Sequence, residues 1–143
     1  MSETQTAPAK PLPVVPFLKI PESGEPYLEG HRCGHCGAVF LGDRLVCAAC
    51  GTRGQMKAEK LANHGKLYNF TIVHRNFPGV PVPFISAIVD LDGGGSIKGN
   101  LVDMVPNAEA IKFDMPVKVV YRDAGRKDKD GNSYLAYFFT PAN

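Results

Sequence analysis

Between Gly65 and Asn76 the chain alternates Leu67, Asn69, Thr71 and Val73 with Tyr68, Phe70, Ile72 and His74. A period of two belongs to a strand, because successive side chains leave a pleated backbone on opposite faces. The second set is the more apolar and predicts the inward face. Phe84–Leu91 is a β-branched run ended by Asp92-Gly93-Gly94-Gly95, a hairpin turn that leads into a strand over Ser96–Val102. Pro106–Ala110 reads as one helical turn, and Pro116–Tyr121 and Ser133–Phe139 are apolar runs flanking the polar loop Arg122–Asn132. Three consecutive strands, a short helix and a closing hairpin match the five-stranded Greek-key barrel called the OB-fold; a sandwich fragment carries the same pattern.

The N-terminal part has no such alternation. Residues 1–16 hold Pro8, Pro11, Pro13 and Pro16 among small and polar residues, which biases the backbone toward polyproline II and predicts an arm, flexible or draped over a partner. Residues 17–30 place Phe17, Leu18, Ile20, Tyr27 and Leu28 around Pro21 and Pro26, leaving room for one short helix at most, near Tyr27, in an otherwise extended segment. That is more apolar surface than so short a piece buries on itself. A cysteine module follows over residues 31–59, and the barrel takes residues 60–143.

Cys33-Gly34-His35-Cys36 and Cys47-Ala48-Ala49-Cys50 form two C-x2-C pairs separated by ten residues. Two such pairs bring four thiolates around one tetrahedral ion, and Gly37 and Gly51, each just after a pair, let the backbone fold into a tight knuckle. The spacing predicts a structural zinc ribbon, with disulfides or an iron centre as the other chemistries of four cysteines. Four thiolates leave no open coordination position, so hydrolytic zinc chemistry is disfavoured. His35 sits inside the first knuckle and is read as a solvent-facing residue, outside the ligand set.

Composition narrows the function. Formal charge is +2 and the basic residues are interspersed with acidic ones, a weak footprint for DNA or RNA. The first ten residues do not read as a signal peptide and no stretch is long and apolar enough to span a bilayer, so a cytoplasmic protein without membrane contact is expected. His31, His64 and His74, with Asp90, Asp92 and Asp103, fall into no nucleophile or acid–base signature, and the triple glycine is explained by a turn between strands. No complete enzyme is legible.

Taken together, GHRCGHCG (residues 30–37), CAACG (47–51), GKLYNFTIVHRNFPG (65–79), PFISAIVDLDGG (83–94), IKGNLVD (97–103), MPVKVVYRD (115–123) and YFFTP (137–141) resemble the DUF35 family, in which a rubredoxin-like zinc ribbon precedes an OB-fold. The resemblance runs from Phe17 to Pro141, with departures at Phe40–Val46 and in the insert at residues 125–132. It implies a noncatalytic accessory subunit of a thiolase-like enzyme acting on acyl-CoA, or of an aldolase or hydratase. The reactive groups would then lie in the partner. In keeping with it, Phe17, Leu18, Ile20, Tyr27 and Leu28, which have no evident core of their own, are read as facing that partner, with capping of the barrel as the other reading. Arg32, Arg44, Arg53, Lys57, His74 and Phe77 are read as bordering CoA at the shared interface, with plain solvation as the alternative for the basic ones. Two other classes stand beside this one: a single-stranded nucleic-acid binder stacking bases on Tyr68, Phe70, Phe77 and Phe84, and an autonomous acyl-CoA carrier.

Overall fold

The computed structural model describes residues 10–142. Its strands are β1 (Leu12–Pro13), β2 (Leu18–Lys19), β3 (Tyr27–Cys33), β4 (Val39–Leu41), β5 (Met56–Lys60), β6 (His64–Val73), β7 (Phe84–Leu91), β8 (Ser96–Leu101), β9 (Pro116–Lys127) and β10 (Ser133–Pro141). Strands β6 to β10 close a barrel in the order β6-β7-β8-β10-β9, with β9 returning to β6. The β8–β10 pair is parallel and the other barrel pairs are antiparallel. This is the OB-fold anticipated from the strand pattern.

The inward set of β6 is not a simple alternation. Leu67 pairs with Val89 and Asn69 with Ile88, so Tyr68 is an extra residue bulged out of the ladder toward solvent. The bulge shifts the phase of the strand: Leu67 is buried ahead of it, and Phe70 and Ile72 pack against the core beyond it. Together with Ile85, Val89, Ile97, Leu101, Val117, Val119 and Phe139 they fill the barrel.

Three expectations are corrected. Pro106–Ala110 forms a turn instead of a helix: the Ala110 N–H meets the Asn107 carbonyl at 3.0 Å, and Asn107 Oδ1 accepts the Glu109 N–H at 2.9 Å. An Asn side chain that takes a nearby N–H competes with the helical ladder, and Ile111 enters the core immediately afterwards. The ribbon of β9 continues to Lys127, six residues past Tyr121, because backbone pairing with β10 persists where side-chain alternation stops. Asp128 closes that hairpin, its Oδ1 accepting N–H groups of Asp130 and Asn132 at 2.9 and 2.8 Å.

The third correction concerns residues 17–30. They are extended, β2 pairing with β3 at Leu18–Leu28 and Lys19–Tyr27, and no helix forms near Tyr27. Leu18 and Leu28 are 0% exposed and belong to the same cluster as the barrel core, with Leu61 beside them. They therefore close the barrel of their own chain and are not side chains offered to a partner. Of the arm read over residues 1–16, the first nine lie outside the described residues. Leu12–Pro13 run parallel to Tyr134–Leu135, and the Val14 N–H donates to the Leu135 carbonyl at 3.0 Å. Pro13 fits here because the bond falls on its neighbour's N–H.

Candidate metal centre and its attachment to the barrel

Strand β3 carries Cys33 to one end of the ribbon sheet, where β4 and β5 pair with it on residues 29–33. Two knuckles then repeat one design. The Gly37 N–H returns to the Cys33 carbonyl at 2.9 Å and the Gly51 N–H to the Cys47 carbonyl at 2.9 Å. Both glycines sit at positive φ, 81° and 75°, where an L side chain is strained. The N–H groups of His35 and Ala49 point at Cys33 Sγ and Cys47 Sγ, each at 3.4 Å.

The four sulfurs lie within 4.8 Å of one another. Cys33 and Cys50 are 3.8 Å apart and Cys36 and Cys47 3.6 Å, pairing across the knuckles. A zinc ion bonded to four sulfurs at about 2.3 Å has tetrahedral edges of about 3.8 Å, so the cage fits such an ion. The same spacing is far too long for a disulfide bond of about 2.0 Å. Its electrostatics also suit a cation. The Thr52 hydroxyl, with the Thr52 N–H and the neighbouring thiols, pulls Cys50 down to about 6, and the Cys50 N–H leads the groups that lower Cys47. Cys36 moves the other way: against the Ala38 N–H, burial and the thiols of Cys47, Cys50 and Cys33 push it up to about 11. Four sulfurs this close share protons unless a positive ion lets all of them ionise. Thr52, with Oγ1 3.2 Å from Cys50 Sγ, went unnoticed in the sequence, where nothing but its place after the second knuckle marks it.

The ribbon is held to the barrel by Arg32. Its guanidinium forks onto Glu59, with Nη2 at 2.8 Å and Nε at 3.0 Å. The same group donates to the Gly37 carbonyl of the first knuckle at 2.9 Å and to the Gly93 carbonyl of the β7–β8 turn at 2.7 Å. The triple glycine is thus a turn, and also a close contact: a Cβ on Gly94 would lie 2.8 Å from Val39 Cγ2. Arg32 holds the Glu59 carboxyl below the usual carboxylate range through hydrogen bonding first and charge second. A lowered carboxyl pKa stabilises the fold above the unfolded carboxylate value and loses that contribution as pH falls through the folded one. Arg32→Ala is expected to destabilise the fold at neutral pH and to flatten the acid side of the stability curve. Urea melts of both proteins from pH 7 to pH 4 read this, and parallel curves would refute it.

The other residues read as bordering CoA scatter. Arg44 stacks on Phe40, 4.4 Å from the ring centroid, and donates to the Leu41 carbonyl. Arg53 and Lys57 are exposed on the ribbon, while His74 and Phe77 are exposed on the β6–β7 loop, remote in sequence from the cage. Phe17 packs against Tyr137 with ring centroids 5.8 Å apart, Tyr27 lies under Lys60 at 4.7 Å, and Ile20 is half-buried.

An OB barrel is also what comparison with known proteins returns. The chain is 32% identical over 117 residues to a DUF35 domain-containing scaffold protein of Methanocaldococcus jannaschii, covering 80% of this chain and 81% of that one. This chain belongs to the DUF35 family. The family model described as the C-terminal OB-fold domain of ChsH2 matches residues 58–122, from β5 into β9. Another relative, the benzoylsuccinyl-CoA thiolase subunit BbsA of Geobacter metallireducens, is 33% identical over 76 residues, about half of each chain at 52% and 51%. The solved Ltp2-ChsH2(DUF35) aldolase shares the DUF35 fold with a TM-score of 0.63 and 24% identity, over 82% of this chain and 86% of that one. Among the described residues no helix is long and apolar enough to cross a membrane.

Proposed function

We propose that this chain is a noncatalytic, zinc-binding accessory subunit of a thiolase-type acyl-CoA complex, which it stabilises and whose CoA site it helps to close. The observation that carries the reading is the relationship to BbsA, named as a subunit of a CoA thiolase, beside longer matches that are named DUF35 scaffold proteins. Cys33, Cys36, Cys47 and Cys50 would hold zinc, which supplies a fixed tetrahedral cross-link and no open position for bond making. The cage orders the knuckles, and Arg32 transmits that order to the barrel.

In such a complex the partner's cysteine thiolate attacks the 3-keto carbonyl of the acyl-CoA, and the partner's acid and base groups move the protons. This chain contributes surface that keeps water from the thioester. With Leu18 and Leu28 spent on its own core, Phe17, Ile20 and Tyr27 remain as the apolar part of the segment toward a partner. The charge distribution supports a protein partner over nucleic acid, and the protein would work in the cytoplasm. Co-expression with a thiolase-like catalytic subunit of the same genome tests the reading. A stable hetero-oligomer is expected, with thiolase activity at least tenfold above the catalytic subunit alone. Full activity of the catalytic subunit alone, with no co-purification, would end it.

A further inference from the structure

The outer surface of the barrel has a cleft of about 940 Å³ between the β6–β7 loop, the exposed faces of β7 and β8 and the far end of β9. Its floor is apolar, from Val80, Phe84 and Phe138, and Phe77 stands on its rim with 82% of its surface exposed. Lys98 and Arg126 are the ionisable side chains that line it, with no carboxylate among its lining residues. Among the described residues neither has an acidic partner within ion-pair distance. Ser86 and Asn100, paired across β7 and β8, add neutral hydrogen-bonding groups to the lining.

Such a lining matches a ligand with a flat aromatic end and a compact cluster of negative charge. A base stacks on an exposed ring whatever its identity, an Arg fork takes phosphate oxygens two at a time, and a Lys adds a mobile point charge. The volume falls in the range of small-molecule sites. Two cations on a chain of net charge +2 neutralise a few phosphate charges but do not make a track for a polynucleotide. The ribbon offers less: Arg32 is committed to Glu59 and two carbonyls, and Arg44 to Phe40 and Leu41.

We infer that this cleft receives the adenosine 3′,5′-bisphosphate end of CoA, with the base against Phe77 and the phosphates on Lys98 and Arg126. The inference rests on the acyl-CoA reading above and puts the phosphate contacts on the barrel instead of the ribbon. It leaves the thioester end to the catalytic partner.

The test titrates the full chain, alone and co-purified with a thiolase-like subunit, with CoA, adenosine 3′,5′-bisphosphate, pantetheine and a short oligo-dT, following amide shifts by NMR and affinity by calorimetry. CoA and the bisphosphate should shift Phe77, Lys98 and Arg126, while pantetheine should not. Lys98→Ala with Arg126→Ala should weaken bisphosphate binding to the chain roughly tenfold or more, and in the complex raise KM for CoA at unchanged kcat. The surface control Lys129→Ala, in the β9–β10 turn, should do neither. Both cations are exposed, so folding is retained and checked by the same spectra. A complex that assembles and turns over with unchanged KM in the double variant, with no bisphosphate shifts, overturns the cleft assignment and leaves the accessory-subunit reading intact. Failure to assemble overturns that reading, and titration of the isolated chain still decides the cleft. Oligo-dT binding there more tightly than the bisphosphate also overturns the assignment.

Discussion

Stripping the metal is expected to disorder residues 33–55 and lower the melting temperature of the chain by at least about 10 °C. The ribbon sheet is small, with β4 only three residues long, and the turns that carry Cys36, Cys47 and Cys50 are exposed. Little apolar burial exists there to hold two knuckles whose sulfurs sit less than 4 Å apart. In isolated ribbons the apparent free energy of zinc binding is on the order of 10 kcal/mol, comparable to the whole stability of a domain. Here β3 continues from the cage into the core at Leu28, so the loss is felt in the barrel as well. Elemental analysis should give about one zinc per chain, and a chelator should release four titratable thiols while NMR signals of the knuckles collapse and those of β6–β10 persist. Cys47→Ser should reproduce the effect without chelator. A metal-free protein with an unchanged spectrum would show that the cage is not structural.

Phe139→Ala is expected to cost about 4 kcal/mol, a large part of the stability of a small barrel. The ring is 0% exposed, packs edge-on to Tyr137 at 6.1 Å, and covers Gly99, whose absent Cβ would lie 2.8 Å from it. Its residue also sits where the barrel closes: Phe139 pairs with Val119 on β9 and with Leu101 on β8, the one register position recorded between β8 and β10. The Val102 N–H reaches the Phe139 carbonyl at 2.8 Å at the same point. A cavity there loosens the closure itself. Phe139→Leu, which keeps most of the volume, should cost clearly less, about 1.5 kcal/mol. Urea unfolding of the three proteins decides it, and a loss below about 1 kcal/mol for the Ala variant would mean that the closure does not depend on this ring.

The parts legible in the sequence are those fixed by short-range rules. The cage was readable because C-x2-C spacing nearly determines a knuckle, and β7 and β8 because alternation on both sides of Asp92–Gly95 leaves one register. Tyr68 could not be placed, since a bulge depends on the partner strand and not on the residue that bulges. Leu18 and Leu28 read as surplus because the core they complete lies beyond residue 60. Lys98, Arg126 and Phe77 are separated by tens of residues and meet only when the barrel closes, so the cleft has no linear signal. Of the six residues read as bordering CoA, Phe77 alone lines it.

Strand β1 has a further consequence. Only the far end of β10 meets β8, at Phe139, and Leu12–Pro13 lie along its beginning at Tyr134–Leu135. Proteolytic trimming through Val14, ordinarily harmless at a chain terminus, would here leave the Leu135 carbonyl and its neighbours as an open seam. Open seams of this kind recruit strands from other molecules, so β1, short as it is, covers an edge that would otherwise invite self-adhesion.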